Sequence, residues 1–331
     1  MSAPALASGS ASKRLDPRRR LAPALRRLSR IAVVLIGITV VSFLLLHIVP
    51  GDPARIALGP RASAAAIEAL RHRWGLDRSL PVQYIDYVSR LAHGDFGISI
   101  TYQVPVRPLI FQALPVTLLM LAVGLVFAVG LALPLALVAA TKAGRWPDHI
   151  VRGIPLLGLG MPPFWVAYVL LIALTIKLRF FPSGGYGTTF ADHLVSLVLP
   201  GLTIAIATAP ILVRSLRAAL IEAMTSDFAI AARSRGLSYR RVLIRHVLRN
   251  CLVPLVSTTA VMSGYLLGST TVIELMFDLP GIGRLLLNGI ANRDFDLVQS
   301  VALCYAVLVI VLNICVDLAY SALDPRVRLG E

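Results

Sequence analysis

Charge is scarce in this 331-residue chain: 15% of residues are Asp, Glu, Lys or Arg, against 57% hydrophobic. Soluble domains carry about 25% charged residues, so an ordinary water-soluble globule is excluded. Lysine is nearly missing: Lys13, Lys142 and Lys177 are the only three, and none follows a glycine. A phosphate-binding P-loop needs Gly-Lys-Ser/Thr, so the chain does not hold ATP by that route. There is no His-Glu-x-x-His and no Gly-x-Ser-x-Gly, which removes the corresponding zinc and serine hydrolase mechanisms. The three cysteines, Cys251, Cys304 and Cys315, lie in or beside apolar stretches without metal-ligand spacing and read as small packing residues.

What is present is a series of long runs with no ionised residue: Ile31–Gly51, Pro108–Thr141, Gly153–Ile176, His193–Val213, Asn250–Ile273 and Leu297–Val316. About 20 helical residues cross a hydrocarbon core, and Leu, Ile, Val and Phe favour insertion where a central Arg costs about 2.5–3.5 kcal/mol. The fold class expected is an all-α polytopic membrane protein with six spans. The first run exceeds the 7–15 apolar residues of a signal peptide, and Ala57-Leu58-Gly59 makes a poor cleavage site, so Ile31–Val49 reads as a retained helix.

The net charge of +15 has a sidedness. Of the 32 Lys and Arg, 21 fall in residues 1–30, 141–152, 214–249 and the C-terminal tail. On the other side, 177–192 and 274–297 hold four, and the long 50–112 segment, which the orientation rule discounts, holds seven. The positive-inside rule then places both termini in the cytoplasm. Because membrane orientation explains the basic charge, no nucleic-acid partner is expected; the bilayer is.

The expected organisation is a basic tail over 1–30, disordered over 1–20, a first span over 31–49, an exterior segment over 50–112, a five-helix core over 113–321 with a cytoplasmic loop at 222–250, and a tail from 322 to 331. "VPGDPARIALGP" (Val49–Pro60) ends the first span abruptly. Ser63–Asp77 reads as a short helix stopped by Gly75, and Leu80–Gly97 as another with Tyr84, Val88 and Leu91 on one face. His47 and Asp317, near span ends, read as interface residues, and Arg214 and Arg217 as snorkelling ones. No chain of buried carboxylates crosses the spans, which speaks against a proton-coupled carrier. Prolines at 115, 134, 155, 162, 163, 200, 210 and 254 permit bends, and Gly264 with Gly268 forms a GxxxG pair that allows close helix contact.

The most basic helical stretch is "TSDFAIAARSRGLSYRRVLIRHVLRNCLVP", Thr225–Pro254, with six arginines and one acid. Ser226 or Asp227 can cap a short helix, Phe228, Ala231 and Ala232 line one face, and Gly236 ends it. Ser238 can cap a second helix carrying Arg241, Arg245 and Arg249 beside an apolar stripe of Val242, Leu243 and Val247. Like charges at i,i+4 repel, so this row wants an anionic neighbour.

"AARSRGLSYRRVLIRHVLRNCLVP" resembles the cytoplasmic EAA-type loop of ABC importer permeases of the dipeptide/oligopeptide/nickel group. "GSTTVIELMFDLPGIGRLLLNGIANRDFDLVQS" (Gly268–Ser300) is similar to the same group's segment between the last two spans, and "FLLLHIVPGDPARIALG" to the end of its first. The outer segment with "HGDFGIS" (His93–Ser99) resembles the B-type subunit of the pair. The glutamate that names the EAA motif falls at Ile230 here, a departure that leaves open which residue makes the polar contact to the ATPase. The resemblance covers nearly all of residues 28–325.

The resemblance implies a permease subunit without catalytic residues, cofactor or metal of its own. Its partners would be a homologous second permease, two P-loop ATPases that bind ATP and Mg, and an extracytoplasmic binding protein, at a bacterial inner membrane. It implies ATPase coupling through Asp227, Ala231, Ala232, Arg235, Gly236, Leu237, Ser238 and Arg241. It implies an exterior gate or substrate contact at Pro280, Gly281, Gly283, Asn292, Arg293 and Asp294; the residues themselves read equally as a tight turn at Pro280–Gly283 and a helix cap at Asn292–Asp294. The substrate stays open among dipeptides, longer peptides, glutathione-like molecules, nickel chelates and haem. The competing function is a secondary transporter or channel without ATPases.

Overall fold

The computed structural model describes residues 18–48 and 52–323, and the described residues are helical throughout apart from short connections and one isolated bridge between Ile98 and Pro105. Residues 1–17, 49–51 and 324–331 lie outside the described residues, as do the side chains of His47 and Asp317. Helix α1 runs Arg18–Ile48, so helix begins within the stretch read as a disordered basic tail. Three short helices and a loop follow: α2 (Pro53–Leu58), α3 (Ala64–Trp74), α4 (Leu80–Ala92) and the His93–Ser99 loop.

The local chemistry explains these boundaries. The Asp52 carboxylate accepts from the Ala54 N–H at 3.0 Å and starts α2. Ser63 accepts from Ala66 N–H at 3.2 Å, and Gly75 stops α3 in the left-handed region at φ 67°. In α4 the buried face centres on Tyr87, while Val88 is exposed, which corrects the expected face. Tyr87 stacks on Phe43 of α1 at 6.1 Å between ring centroids, and the Tyr84 hydroxyl lies 3.0 Å from Thr39 Oγ1. The segment that follows α1 is therefore fastened to the first apolar helix.

Among the described residues, four helices are long and apolar enough to cross a membrane. They are α5 (Val106–Thr141), α8 (Phe190–Thr225), the helix Tyr239–Met276, and α13 (Phe295–Leu323), whose apolar part is Phe295–Val316. Leu28–Leu44 within α1 and Pro163–Lys177 are apolar but shorter. The run expected to form one span at Gly153–Ile176 is divided: α6 (Trp146–Gly160) stops, and α7 (Pro163–Leu170) continues as a π-helical turn over Leu171–Lys177. Pro162-Pro163 is the cause, because proline lacks the N–H and bars helix at the residue before it. The Tyr239–Met276 helix has three parts: α10 (Tyr239–Val242), a π-helical turn over Leu243–Val247, and α11 (Leu248–Met276).

The core is the packing of α5 on α8. Ala128, Ala132, Ala136 and Ala140 recur every fourth residue on α5, all buried, against Ala205, Ala209, Leu212 and Leu216 of α8. The crossing is close: a Cβ on Gly124 would lie 2.7 Å from Ile204 Cγ2, and one on Gly201 would lie 2.8 Å from Val123 Cγ1. A Cβ on Gly264 or Gly268, the expected close-contact pair, would meet nothing within 4 Å among the described residues, so within the chain the close contact is made at Gly124 and Gly201 instead.

Candidate functional site: the α9 helix and the Glu274 buckle

The first site is built on the end of α8. This helix runs on to Thr225, beyond the start expected for the loop, and α9 (Asp227–Ser234) follows after a break at Ser226. Ser226 occupies the N-cap position without capping; its hydroxyl donates back to the Ala223 carbonyl at 2.6 Å. Ser238 is likewise N-cap by position only. Gly236 adopts φ 79°, its N–H donates to the Arg233 carbonyl at 2.9 Å, and the Leu237 N–H reaches the Ala232 carbonyl at 3.3 Å, so α9 ends as expected.

The buried face of α9 differs from the expected one. Ala229 and Ala232 point inward, into the cluster of Leu216, Leu220, Val242 and Val247, with Leu237 packed beside them. Phe228 is 41% exposed and Ile230 52% exposed, and Ala231 is exposed between them. Phe228 and Ala231 are therefore not on the packed face; only Ala232 of the expected trio is. The small alanines let α9 lie flat on α8, and the larger apolar side chains face away. Asp227, Arg235, Gly236, Ser238 and Arg241 are also at the surface. Arg233 ties α9 down by donating to the Met224 carbonyl.

Arg241, Arg245 and Arg249 are exposed, and the expected stripe is present, with Val242 and Val247 buried and Leu243 partly so. Nearby, Asp148 is fully buried and accepts two bonds from one guanidinium: Arg217 Nε to Oδ1 at 2.6 Å and Nη2 to Oδ2 at 2.8 Å. Gly144 N–H adds a third at 2.9 Å. The Arg217 hydrogen bond is the main reason the carboxyl is held down at about 2. Arg217 was expected to snorkel; it is instead the clamp between α6 and α8. Arg152 stands 3.6 Å from the same carboxylate.

The second site, at the opposite end of α5, brings together two parts of the chain that were read separately. Glu274, near the end of α11, is fully buried. Its Oε1 accepts from the Thr117 hydroxyl of α5 at 2.6 Å, and its Oε2 accepts from the Arg284 N–H at 2.9 Å. Thr117 Oγ1 in turn accepts from the Ile282 N–H at 2.9 Å. Ile282 and Arg284 stand in the first turn of α12 (Ile282–Ala291), where unpaired N–H groups and the helix dipole favour an anion. Glu274 thus buckles α12 to α5 and α11. It was missed in the sequence because it lies one residue past the ion-free run; the signal available was an acid just before Pro-Gly-x-Gly.

The glycines here serve close approach. Gly281 is extended, at φ −92°, and its side-chain position is filled by the Glu274 carboxylate. A Cβ on Gly283 would stand 2.5 Å from Thr271 Cα. The tight turn expected at Pro280–Gly283 is made earlier, by Asp278 at φ 53°, whose carboxylate pairs with Arg284 at 2.5 Å.

Asp294 caps α13. It is fully buried and accepts from Leu297 N–H at 3.4 Å, Thr101 N–H at 3.0 Å and the Ser99 hydroxyl. Asp296 accepts from Ile98 N–H at 3.2 Å, and the Ser300 hydroxyl donates to the Phe96 carbonyl at 3.0 Å. Gly97, at φ 78°, leaves the space the Asp296 carboxylate occupies. The His93–Ser99 and Asn292–Asp296 stretches therefore form one contact. Asn292 is exposed, with its amide donating to Asn288 O at 2.8 Å, and Arg293 supplies a left-handed turn at φ 54°. Pro280 is exposed beside the buckle.

Residues 132–329 match the family described as the binding-protein-dependent transport system inner membrane component, and residues 21–122 match the N-terminal membrane component of such systems. The chain belongs to this permease family. Within it the chain is 34% identical over 304 residues to the glutathione transport system permease protein GsiC of Escherichia coli K12, covering 92% of this chain and 98% of that one. GsiC of Shigella boydii serotype 4 is 33% identical over the same coverage. These matches place the chain in the dipeptide/oligopeptide/nickel group of ABC importer permeases, as a multi-pass subunit of the bacterial inner membrane that is not itself an enzyme. The inward-facing MetNI methionine ABC transporter shares the fold, with a TM-score of 0.55 at 18% identity, over 65% of this chain and 96% of that one.

Proposed function

We propose that the permease carries peptides, from dipeptides to oligopeptides and including the glutathione named for its relatives, into the cell. It does so beside a second, homologous permease, with two cytoplasmic ATPases that bind ATP and Mg and a binding protein outside. In this reading the chain has six spans: α1, α5, α6 from Gly153 with α7, α8, the Tyr239–Met276 helix, and α13, with Asp148 in the loop that precedes the third. Both termini face the cytoplasm.

The observation that carries the coupling role is the two-sided build of α9. Its inner face of Ala229 and Ala232 is packed into the core, while Phe228, Ile230 and Ala231 are left uncovered on a helix held at both ends. A short rigid element seated on α8 transmits a push with little loss, and an uncovered apolar face suits a groove on an ATPase. Ile230, standing where a motif glutamate would be, makes that contact apolar; Asp227, Arg235, Ser238 and Arg241 supply its polar rim. At the outer face, the Glu274 buckle and the Asn292–Asp296 contact hold the elements that border the route of a delivered substrate.

The test uses the exposed face, since a charge at buried Ala232 would disturb the core as well. Phe228→Ala and Ala231→Glu in the full transporter should leave the permease folded, weaken its association with the ATPases, and reduce peptide uptake and peptide-stimulated ATP hydrolysis together. Unchanged association and uptake would sink the coupling reading; uptake persisting with no ATPase present would favour a secondary transporter.

A further inference from the structure

The ends of α5 and of the Tyr239–Met276 helix leave a groove of about 290 Å³ between them. Leu137 and Val138 line it from α5, and Leu243, Ile244 and Leu248 line it from the other helix. Thr141 and Arg240 complete the lining. The Thr141 hydroxyl already donates to the Leu137 carbonyl at 2.7 Å, so it offers a ligand no donor. Arg240 is exposed and has neither an acid nor a hydrogen-bond acceptor among the described residues. The groove is thus an apolar trench with one guanidinium, close to twice the roughly 150 Å³ of an engineered apolar cavity that stays dry. Leu243 and Ile244 belong to the π-helical turn, a distortion that is often found at functional positions.

The surroundings add charge of one sign. Lys142 follows Thr141, and Arg241 and Arg245 follow Arg240, all exposed and without ion pairs among the described residues. The buried acid at this end, Asp148, is already held by Arg217 and Arg152. Glu222 and Asp227 are exposed and lie beyond ion-pair distance of these cations. An acyl chain of any lipid satisfies the trench, but the cations select an anionic headgroup.

We propose that this groove is a binding site for an anionic phospholipid of the bilayer. The acyl chain lies along Val138, Leu243, Ile244 and Leu248, and the phosphate sits at Arg240, whose planar fork matches two phosphate oxygens. The proposal rests on the membrane reading only in placing this end at a bilayer surface. It does not depend on which surface.

The purified full transporter is exchanged into nanodiscs of phosphatidylglycerol or of phosphatidylcholine, and the lipids retained after extraction are counted by native mass spectrometry. Wild type should keep phosphatidylglycerol in preference to phosphatidylcholine, the more so at low salt. Arg240→Gln should lower retained phosphatidylglycerol about fivefold, the equivalent of about 1 kcal/mol for one basic side chain near an anionic surface. Arg240→Lys should restore part of it, and Val138→Trp, which fills the trench, should expel the lipid while Arg240 remains. Equal retention of the two lipids, or an Arg240→Gln variant that holds phosphatidylglycerol as well as wild type, overturns the proposal. So does an Ile244→Cys variant that cross-links to another subunit across the groove. Uptake is not the readout, so failure here leaves the importer reading standing.

Discussion

Gly283→Ala is the substitution whose cost follows most directly from the coordinates. The new Cβ would stand 2.5 Å from Thr271 Cα, where carbon atoms prefer about 3.5–4.0 Å. The obstacle is backbone, which cannot rotate aside, so α12 must move off α11 by about 1 Å. Overpacking of that kind costs about 1–3 kcal/mol. The same movement stretches the bonds from Arg284 N–H to Glu274 and from Ile282 N–H to Thr117, both 2.9 Å, past the hydrogen-bond limit. Leaving such a buried group without its donor adds about 1–3 kcal/mol. The total is about 2–6 kcal/mol, a large share of the stability of any domain. Gly130→Ala is the control: nothing lies within 4 Å of its Cβ, and alanine in a helix gains about 0.5–1 kcal/mol over glycine. The assay is the denaturation midpoint of the purified transporter in detergent, with peptide uptake in parallel. Gly283→Ala should lower both and Gly130→Ala should leave both unchanged or raise the midpoint. A Gly283→Ala protein as stable as wild type would refute the claim that the glycine is there for close approach.

Asp148→Asn should destabilise the α6–α8 clamp by about 2–4 kcal/mol, below or within the range for breaking a buried pair because Arg217 is one-fifth exposed, and adding Arg217→Met should recover part of that loss in the same denaturation assay. Because the Asp148 carboxyl is depressed from 3.8 to about 2, its contribution is complete above about pH 4 and is lost as the pH falls through about 2. The clamp's share of stability should therefore be flat between pH 8 and 5, and a loss within that window in wild type but not in Asp148→Asn would contradict the assignment. Asp294→Ala removes the acceptor for Ser99 and Thr101 and should free the His93–Ser99 loop, read as faster limited proteolysis there with α5 and α8 still protected.

The corrections share a cause. Periodicity placed helices at 63–77 and from 80 onward, and Gly75 and Gly236 ended their helices as glycine should, because caps and left-handed stops are decided within a few residues. Which face of α9 is buried was misread, since Phe228 and Ala232 are four residues apart on one side but alanine, being smaller, is what fits against α8. The turn before α12 was misassigned to Gly281 and Gly283 because glycine serves a positive φ and close approach alike, and only the position of Glu274 and Thr271 tells them apart. Arg217 was read as an end residue because its partner, Asp148, is 69 residues away.

The amino-acid order by itself determined that this chain is helical and built for lipid, where its apolar stretches fall, and that none of its three lysines follows a glycine. It also carried the motifs of its permease group. Those properties follow from composition and short-range spacing, because insertion and helix capping are local free energies. Only the tertiary structure decided which glycines touch a neighbouring helix, that a buried glutamate fastens α12, and that an apolar trench opens beside Arg240. Each of these is a meeting of side chains from distant segments, and no local preference specifies which segments meet.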